Sequence, residues 1–465
     1  MNIEEKKLFR NTFLYTLGGI GTKIITYILV PLYTAYLRPE EYGAVDVFYL
    51  SIQILVTVGS LKIASSLVRF VLTDKQNAVK YFTNASIVVV VSCTYCVLFY
   101  RIFFLKDFIK YDLNVGIFLI FFLSFGLREL GYELSKAIDR NDIFVIDGFV
   151  YSVSLLLLSL WLIVDKRLGA MGYVSSYILS NIISCLFLSI SLNLKKYLRF
   201  NQISITIIKK MLKYSFFLVP ATLSFWIVQA SDRFMVKYIM GDKYAGIYGV
   251  AYKIPSICGS FISFFNSAWF VSAVSNENNK DFYSKIYDSY FRVIVSVTGL
   301  IILFCRPIAH ILFRGEYYSA WVYLPLLLYG MIFQYLFSFF EMILLSLKNT
   351  ISVMTTVVIG ALVNVILNYI FIYQVGVMGA VVASMISYFF VFILRIILLI
   401  SKNTLDIKLK DNFFLFLLLL LLAVLMMVNS REIYYISVVI TITIFIYNKK
   451  VIYNIISLLK SKFGI

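Results

Sequence analysis

Charged side chains set inside apolar sequence are where this chain could do chemistry. Six basic residues lie within stretches otherwise apolar enough to cross a bilayer: Lys23, Lys62, Arg128, Lys253, Arg292 and Arg395. Acidic residues in or beside such stretches include Asp46, Glu129, Glu133, Asp232, Asp288 and Glu341. A charge at mid-bilayer costs at least about 2.5–3.5 kcal/mol on insertion scales, so each of these needs a compensating reason. Lys62, Arg292 and Arg395 are close enough to helix ends to snorkel to water. Arg128, Glu129 and Glu133 form a local charge cluster, with the two glutamates one helical turn apart. Asp232 and Arg233 read as a pair near a helix end. Lys23 and Lys253 sit deepest; Lys23 is about fourteen residues beyond the start of its helix, ~21 Å at ~1.5 Å per residue. Cations at that depth face a wet cavity rather than lipid, and they suit an anionic ligand such as a phosphate or diphosphate, bound by charge-assisted hydrogen bonds. The 35 tyrosines offer ring faces and hydroxyls for a carbohydrate, although tyrosine is also the ordinary residue of membrane interfaces. Candidate ligand contacts are therefore Lys23, Lys62, Arg128, Asp232, Arg233 and Lys253. Glu341, the embedded acid most isolated in sequence from a base, is a candidate protonatable coupling group or a structural glutamate tying helices together.

Other chemistries find little support. Cys93, Cys96, Cys185, Cys258 and Cys305 all fall in apolar segments, and the Cys93/Cys96 pair reads as buried small hydrophobes. The single histidine, His310, has no second histidine near it to share a metal. There is no H-E-x-x-H, phosphate-binding glycine loop or paired outer carboxylates. No cofactor, metal or catalytic residue is expected. The net charge of +18 would suggest nucleic acid in a soluble protein. Here it reads as topology-setting lysine and arginine in loops.

The elements that must position these residues are membrane helices. Hydrophobic residues make up 61% of the chain and charged ones 14%, against roughly a quarter charged in soluble domains. Helices are expected at 9–37, 44–66, 82–105, 113–135, 144–164, 169–193, 214–240, 244–272, 288–312, 320–346, 350–373, 378–400, 413–429 and 433–448. The fold class is an all-α polytopic membrane protein with about 14 transmembrane helices. It is organised as an N-terminal six-helix lobe (1–193), a basic connection (194–213), a second six-helix lobe (214–400), and two extra helices with a tail (401–465). Residues 1–10 are basic, but the following apolar stretch lacks a small-residue cleavage pattern and is expected to stay as the first helix. Five prolines, Pro31, Pro220, Pro255, Pro307 and Pro325, fall within expected helices and can kink them. Placing both termini in the cytoplasm puts 24 basic residues on that side against 12 opposite, in line with the positive-inside rule. Glu41-Tyr42-Gly43-Ala44-Val45 and Tyr244-Ala245-Gly246-Ile247-Tyr248 form a weak internal echo, of the kind repeated transporter halves leave.

Several local patterns resemble one family. They are Asn11, Tyr15, Gly18, Gly19 and Pro31, then Leu37-Arg38-Pro39-Glu40-Glu41-Tyr42-Gly43; next Pro220, Ser231-Asp232-Arg233, Gly246-Ile247-Tyr248 and Ala251-Tyr252; last Asn364, Asn368 and Gly376-Val377-Met378-Gly379-Ala380. In this order they resemble the Wzx-type polysaccharide flippases of the multidrug/oligosaccharidyl-lipid/polysaccharide exporter superfamily. The resemblance implies two six-helix lobes around a central cavity in the inner membrane. It also implies a lipid partner, an undecaprenyl-pyrophosphate-linked oligosaccharide repeat unit, with other polysaccharide-assembly proteins as candidate partners. The alternatives within reach of the sequence are a drug/cation antiporter of the same superfamily, whose cavity would hold acids, and a membrane polymerase or glycosyltransferase, which would need larger outer loops.

Overall fold

The computed structural model describes residues 25, 27–103, 108–407 and 409–463. Lys23 and most of the first expected helix lie outside them. A helical stretch over 27–36 leads into α1 (Pro39–Gly59), α2 (Ile63–Thr73), α3 (Ala78–Phe103), α4 (Val115–Ala137), α5 (Asn141–Ser159), α6 (Gly169–Ser191), α7 (Ile205–Phe216), α8 (Val219–Met240) and α9 (Asp242–Ala251). There follow α10 (Lys253–Ser275), α11 (Lys280–Leu303), α12 (Cys305–Leu312), α13 (Leu324–Ser346), α14 (Thr350–Val375), α15 (Val377–Ser401), α16 (Leu409–Met426) and α17 (Arg431–Phe463). Among the described residues there is no strand, and ten helices are long and apolar enough to cross a membrane. This is the all-α, multi-pass membrane fold the composition demands, since a helix satisfies its own backbone polar groups in lipid.

The structure breaks helices where the sequence reading kept them whole, and the residues give the reason. Pro220, Pro255, Pro307 and Pro325 each occupy the first turn of a helix, in α8, α10, α12 and α13. A proline there gives up only an N–H that has no helical partner, so these prolines start helices rather than kink them. The expected helix 44–66 likewise divides at Leu61 and Lys62, which adopt φ +51° and +57°. At the start of α1 the backbone N–H of Arg38 donates to Glu41 Oε2 at 2.9 Å and Pro39 opens the helix. The Leu37–Gly43 pattern is thus a helix start with acids in its first turn.

The chain forms two compact units, one of residues 1–237 and 241–246 and the other of 238–240 and 247–465. In the first, α4 is the hub, packed by α1, α2, α3, α5 and α6. In the second, α13 is the hub, packed by α10, α11, α14, α15 and α16, and 78% of its central window is buried. The last two helices, α16 and α17, pack on α11.

Within the first unit the starts of α1 and α9 cross at the two echo glycines. A Cβ on Gly43 would overlap the Asp242 carbonyl oxygen, and one on Gly246 would overlap that of Pro39. Only glycine allows backbones this close. Gly43→Ala or Gly246→Ala is therefore expected to push the two helix starts apart and lower the thermal midpoint of the purified protein. Gly259→Ala, whose Cβ would meet nothing nearer than Tyr335 Cε1 at 3.7 Å, should leave the midpoint unchanged or raise it, alanine being the better helix former by up to about 1 kcal/mol. Equal midpoints for all three would contradict the crossing.

Candidate functional site

Arg128 organises the interior of the first unit. From α4 its Nε donates to Ser184 Oγ of α6 at 2.7 Å, and Nη2 donates to Asp147 Oδ2 of α5 at 3.1 Å. Ser184 also donates to the other oxygen of Asp147. The guanidinium lies 3.8 Å from the ring centre of Tyr151, a cation–π contact. Asp147 is wholly buried while the Arg128 side chain keeps 16% of its exposure, and the guanidinium also lies 5.5 Å from the ring centre of Tyr132.

Tyrosines continue from this arginine across α1 and α6. Tyr49 and Tyr177 have ring centres 4.7 Å apart, Tyr173 and Tyr177 4.8 Å, and Tyr33 and Tyr173 4.8 Å. The hydroxyls join in, Tyr33 with Ser159 at 3.2 Å and Tyr173 to Tyr177 at 3.4 Å. Asn181, four residues from Tyr177 on α6, is fully buried with neither side-chain amide atom bonded to another described residue. Tyr33, Tyr173 and Tyr177 are buried, while Tyr49 and Tyr151 keep some exposure.

A second cluster lies along α2 and α4. Lys62 is not inside a helix: it sits on the left-handed turn before α2, half-buried, and donates from Nζ to Thr222 Oγ1 at 2.6 Å. Glu129 and Glu133 bear on it electrostatically, and Glu133 pairs with Lys136 at 2.5 Å. Arg233 Nη1 bonds Asp46 Oδ2 of α1 at 2.9 Å, and Asp232 is buried beside it in α8. At the head of α9, Asp242 accepts from Lys237, Lys110 and Tyr111. Burial pushes its carboxyl up, but the hydrogen bonds from Lys110 and Lys237 more than offset this and hold it below the ordinary carboxylate value. That contribution to stability is present at neutral pH and is lost only as pH falls through the lowered value.

In the second unit Lys253 is the first residue of α10 rather than mid-helix, and half-buried. Glu341 of α13 has a partner that its sequence neighbours did not announce: Arg395 Nη1 of α15 donates to Glu341 Oε2 at 2.9 Å. Arg395 is wholly buried, and further donates to the Phe337 carbonyl at 2.7 Å and Thr356 Oγ1 at 3.0 Å. Arg292 is also buried, held by Asp288 at 3.1 Å and Asn448 of α17 at 3.1 Å. Neither arginine snorkels, because each finds its counter-charge inside.

The structure thus brings Arg128, Lys62 and the tyrosines together in one unit, adds Asp147 and Ser184, which the sequence reading missed, and leaves Lys23 undescribed. Arg128 and Arg233, both candidate contacts, each stand beside a carboxylate, Asp147 and Asp46 respectively. Asp147 had a signal: it is the sole charge in its apolar block, 144–164. Arg128→Ala would leave that carboxylate buried with Ser184 alone, at an expected cost of about 3–5 kcal/mol. The thermal midpoint should fall sharply, and the double replacement Arg128→Met with Asp147→Leu should recover much of it. A single variant as stable as the parent would show that the pair is not a desolvated one.

Known proteins place this architecture. The solved structure of lipid II flippase MurJ in an inward closed conformation superimposes with TM-score 0.73 at 14% identity, covering 96% of this chain and 99% of that one. An inward-facing multidrug resistance MATE family transporter of the MOP superfamily gives 0.68 at 15% identity, covering 84% and 99%. A MOP superfamily transporter from Pyrococcus furiosus gives 0.59 at 15% identity, covering 84% and 96%. A sequence comparison with curated proteins returns no match. At these identities the neighbours establish the fold, which is the one the sequence patterns resembled. The MatE profile matches residues 218–370, and the polysaccharide biosynthesis protein profile matches residues 8–270, more than half of the sequence. The chain belongs to the polysaccharide biosynthesis protein family.

Proposed function

We propose that this protein is a flippase that moves an undecaprenyl-pyrophosphate-linked oligosaccharide repeat unit from the cytoplasmic to the outer leaflet by alternating access. The observation that carries the reading is Arg128, partly exposed and stacked on Tyr151, beside a tyrosine cluster in which Tyr49 and Tyr151 keep some exposure. A sugar ring stacks its C–H face on an aromatic ring and bonds its hydroxyls to phenol and amide groups. A diphosphate engages a guanidinium through paired charge-assisted bonds. Family membership supports a role in polysaccharide assembly, and similar solved folds include a lipid II flippase and a multidrug resistance transporter.

The compensated charges refine the reading. Because Arg128 already holds Asp147, substrate binding is an exchange of partners rather than the filling of a bare positive site. The net cost of loading and unloading the anion is correspondingly small, which suits a transporter that must release its cargo. Lys23, Lys62 and Lys253 are proposed as further contacts to the anionic head, Asp232 and Arg233 as lining groups, and Glu341 as the coupling group. The protein is proposed to lie in the inner membrane with both termini cytoplasmic. Reporter fusions after Lys196 and after Lys462 should both give cytoplasmic signals; an outer signal at either would overturn the topology.

Deletion of the gene should cause lipid-linked repeat units to accumulate on the cytoplasmic side, without reaching the outer leaflet. Arg128→Met/Asp147→Leu, Lys23→Ala, Lys62→Ala and Lys253→Ala should rescue poorly when flipping is normalised to membrane abundance. Glu341→Gln should change the pH dependence of rescue. A deletion strain whose repeat units still reach the outer leaflet, with only polymer length lost, would instead indicate a polymerase.

A further inference from the structure

We infer that residues 194–217 form a built binding surface for anionic phospholipid headgroups of the bilayer that the chain spans. The segment carries Lys195, Lys196, Arg199, Lys209, Lys210 and Lys213, all exposed, and no acidic residue. Interleaved with them are apolar side chains turned outward: Phe200 is 81% exposed, Phe217 71% and Ile205 69%, and Leu198, Ile203 and Phe216 are also exposed. A surface for a soluble polyanion would bring the cations without the bare aromatic and aliphatic groups. The bilayer interface takes both at once, headgroup phosphates beside the lysines and acyl-chain carbons beneath the phenylalanines.

This presentation is held in place by the rest of the first unit. Thr83 Oγ1 of α3 donates to the Tyr197 carbonyl at 2.7 Å and accepts from the Arg199 N–H at 3.1 Å. Asn84, fully buried, donates to the Gln202 carbonyl at 3.0 Å and accepts from the Ser204 N–H at 2.9 Å. Ser66 of α2 donates to the Met211 carbonyl of α7 at 3.0 Å. Two buried side chains on α3 and one on α2 thus bond the backbone, and the six cations are left facing outward. The segment also starts close to the end of α6 (Gly169–Ser191), itself apolar enough to span. The surface is therefore tethered at the membrane, where even a modest affinity per headgroup is multiplied by proximity. The inference stands whatever cargo the protein carries.

The test is hydrogen exchange on the full-length protein in nanodiscs of phosphatidylcholine alone and of phosphatidylcholine mixed with phosphatidylglycerol. Amides of 194–217 should exchange more slowly with the anionic lipid, and the difference should vanish at about 1 M salt, where the Debye length is ~3 Å. Replacing all six cations by glutamine should abolish the difference while exchange in α4 stays as in the parent. Identical exchange of this segment in the two lipids, with the parent protein at low salt, would overturn the inference. That comparison needs no variant, so a misfolded glutamine mutant does not blunt it. A lipid difference that survives high salt would also overturn it, since an electrostatic headgroup site cannot persist there.

Discussion

A charge held in hydrocarbon must find its counter-charge within the protein, and in this fold the counter-charge comes from another helix. Arg128 of α4 takes Asp147 from α5 and Ser184 from α6. Arg233 of α8 takes Asp46 from α1. Arg395 of α15 takes Glu341 from α13 and Thr356 from α14. Arg292 of α11 adds to Asp288 on its own helix the carboxylate of Asp411 from α16 at 3.8 Å and the amide oxygen of Asn448 from α17. Leaving one member of such a pair alone in low dielectric costs several kcal/mol, so the pairs fix which helix faces which and in what register. Dispersion between apolar faces supplies the bulk of the packing but is tolerant of sliding; the ion pairs are not.

The same rule shapes what the interior of the first unit can bind. Its cations are not bare, so an anionic ligand must compete with carboxylates already present. Arg128 combines a carboxylate partner, a ring beneath it and partial exposure. On the proposed function it would hold a charged head, with Tyr49 and Tyr151 as the partly exposed rings beside it. A purely basic wall would bind a diphosphate more tightly and let it go less readily.

Much of this was legible in the amino acids. The all-helical membrane fold followed from blocks of apolar length, and Leu37–Gly43 with the Gly246 region marked the family. The echo glycines, Gly43 and Gly246, proved to meet each other. The pairings were less visible because sequence distance misleads. Arg233 bonds Asp46, 187 residues away. Glu341 looked isolated only because its partner is 54 residues away. A better rule was available: Asp147, Glu341 and Arg395 are each the only charge in an apolar block, and such solitary charges seek one of opposite sign elsewhere. Proline positions misled in another way. A proline inside a long apolar block reads as a kink, but the hydrogen-bond logic of a helix start suits it better. The partners of Arg128 could not be read from sequence at all, since they depend on how three helices converge.

The central claim is transbilayer movement of a lipid-linked sugar, and the most direct measurement is made with the purified protein. Vesicles carrying an undecaprenyl-pyrophosphate-linked oligosaccharide are prepared with and without the protein, and the sugar reachable by an impermeant glycosidase is followed over time. With the protein, the protected inner-leaflet pool should be drawn out and cleaved, and Arg128→Met/Asp147→Leu should slow this in vesicles holding the same amount of folded protein. An inner pool that stays protected in protein-containing vesicles, as it does in protein-free ones, would contradict the account.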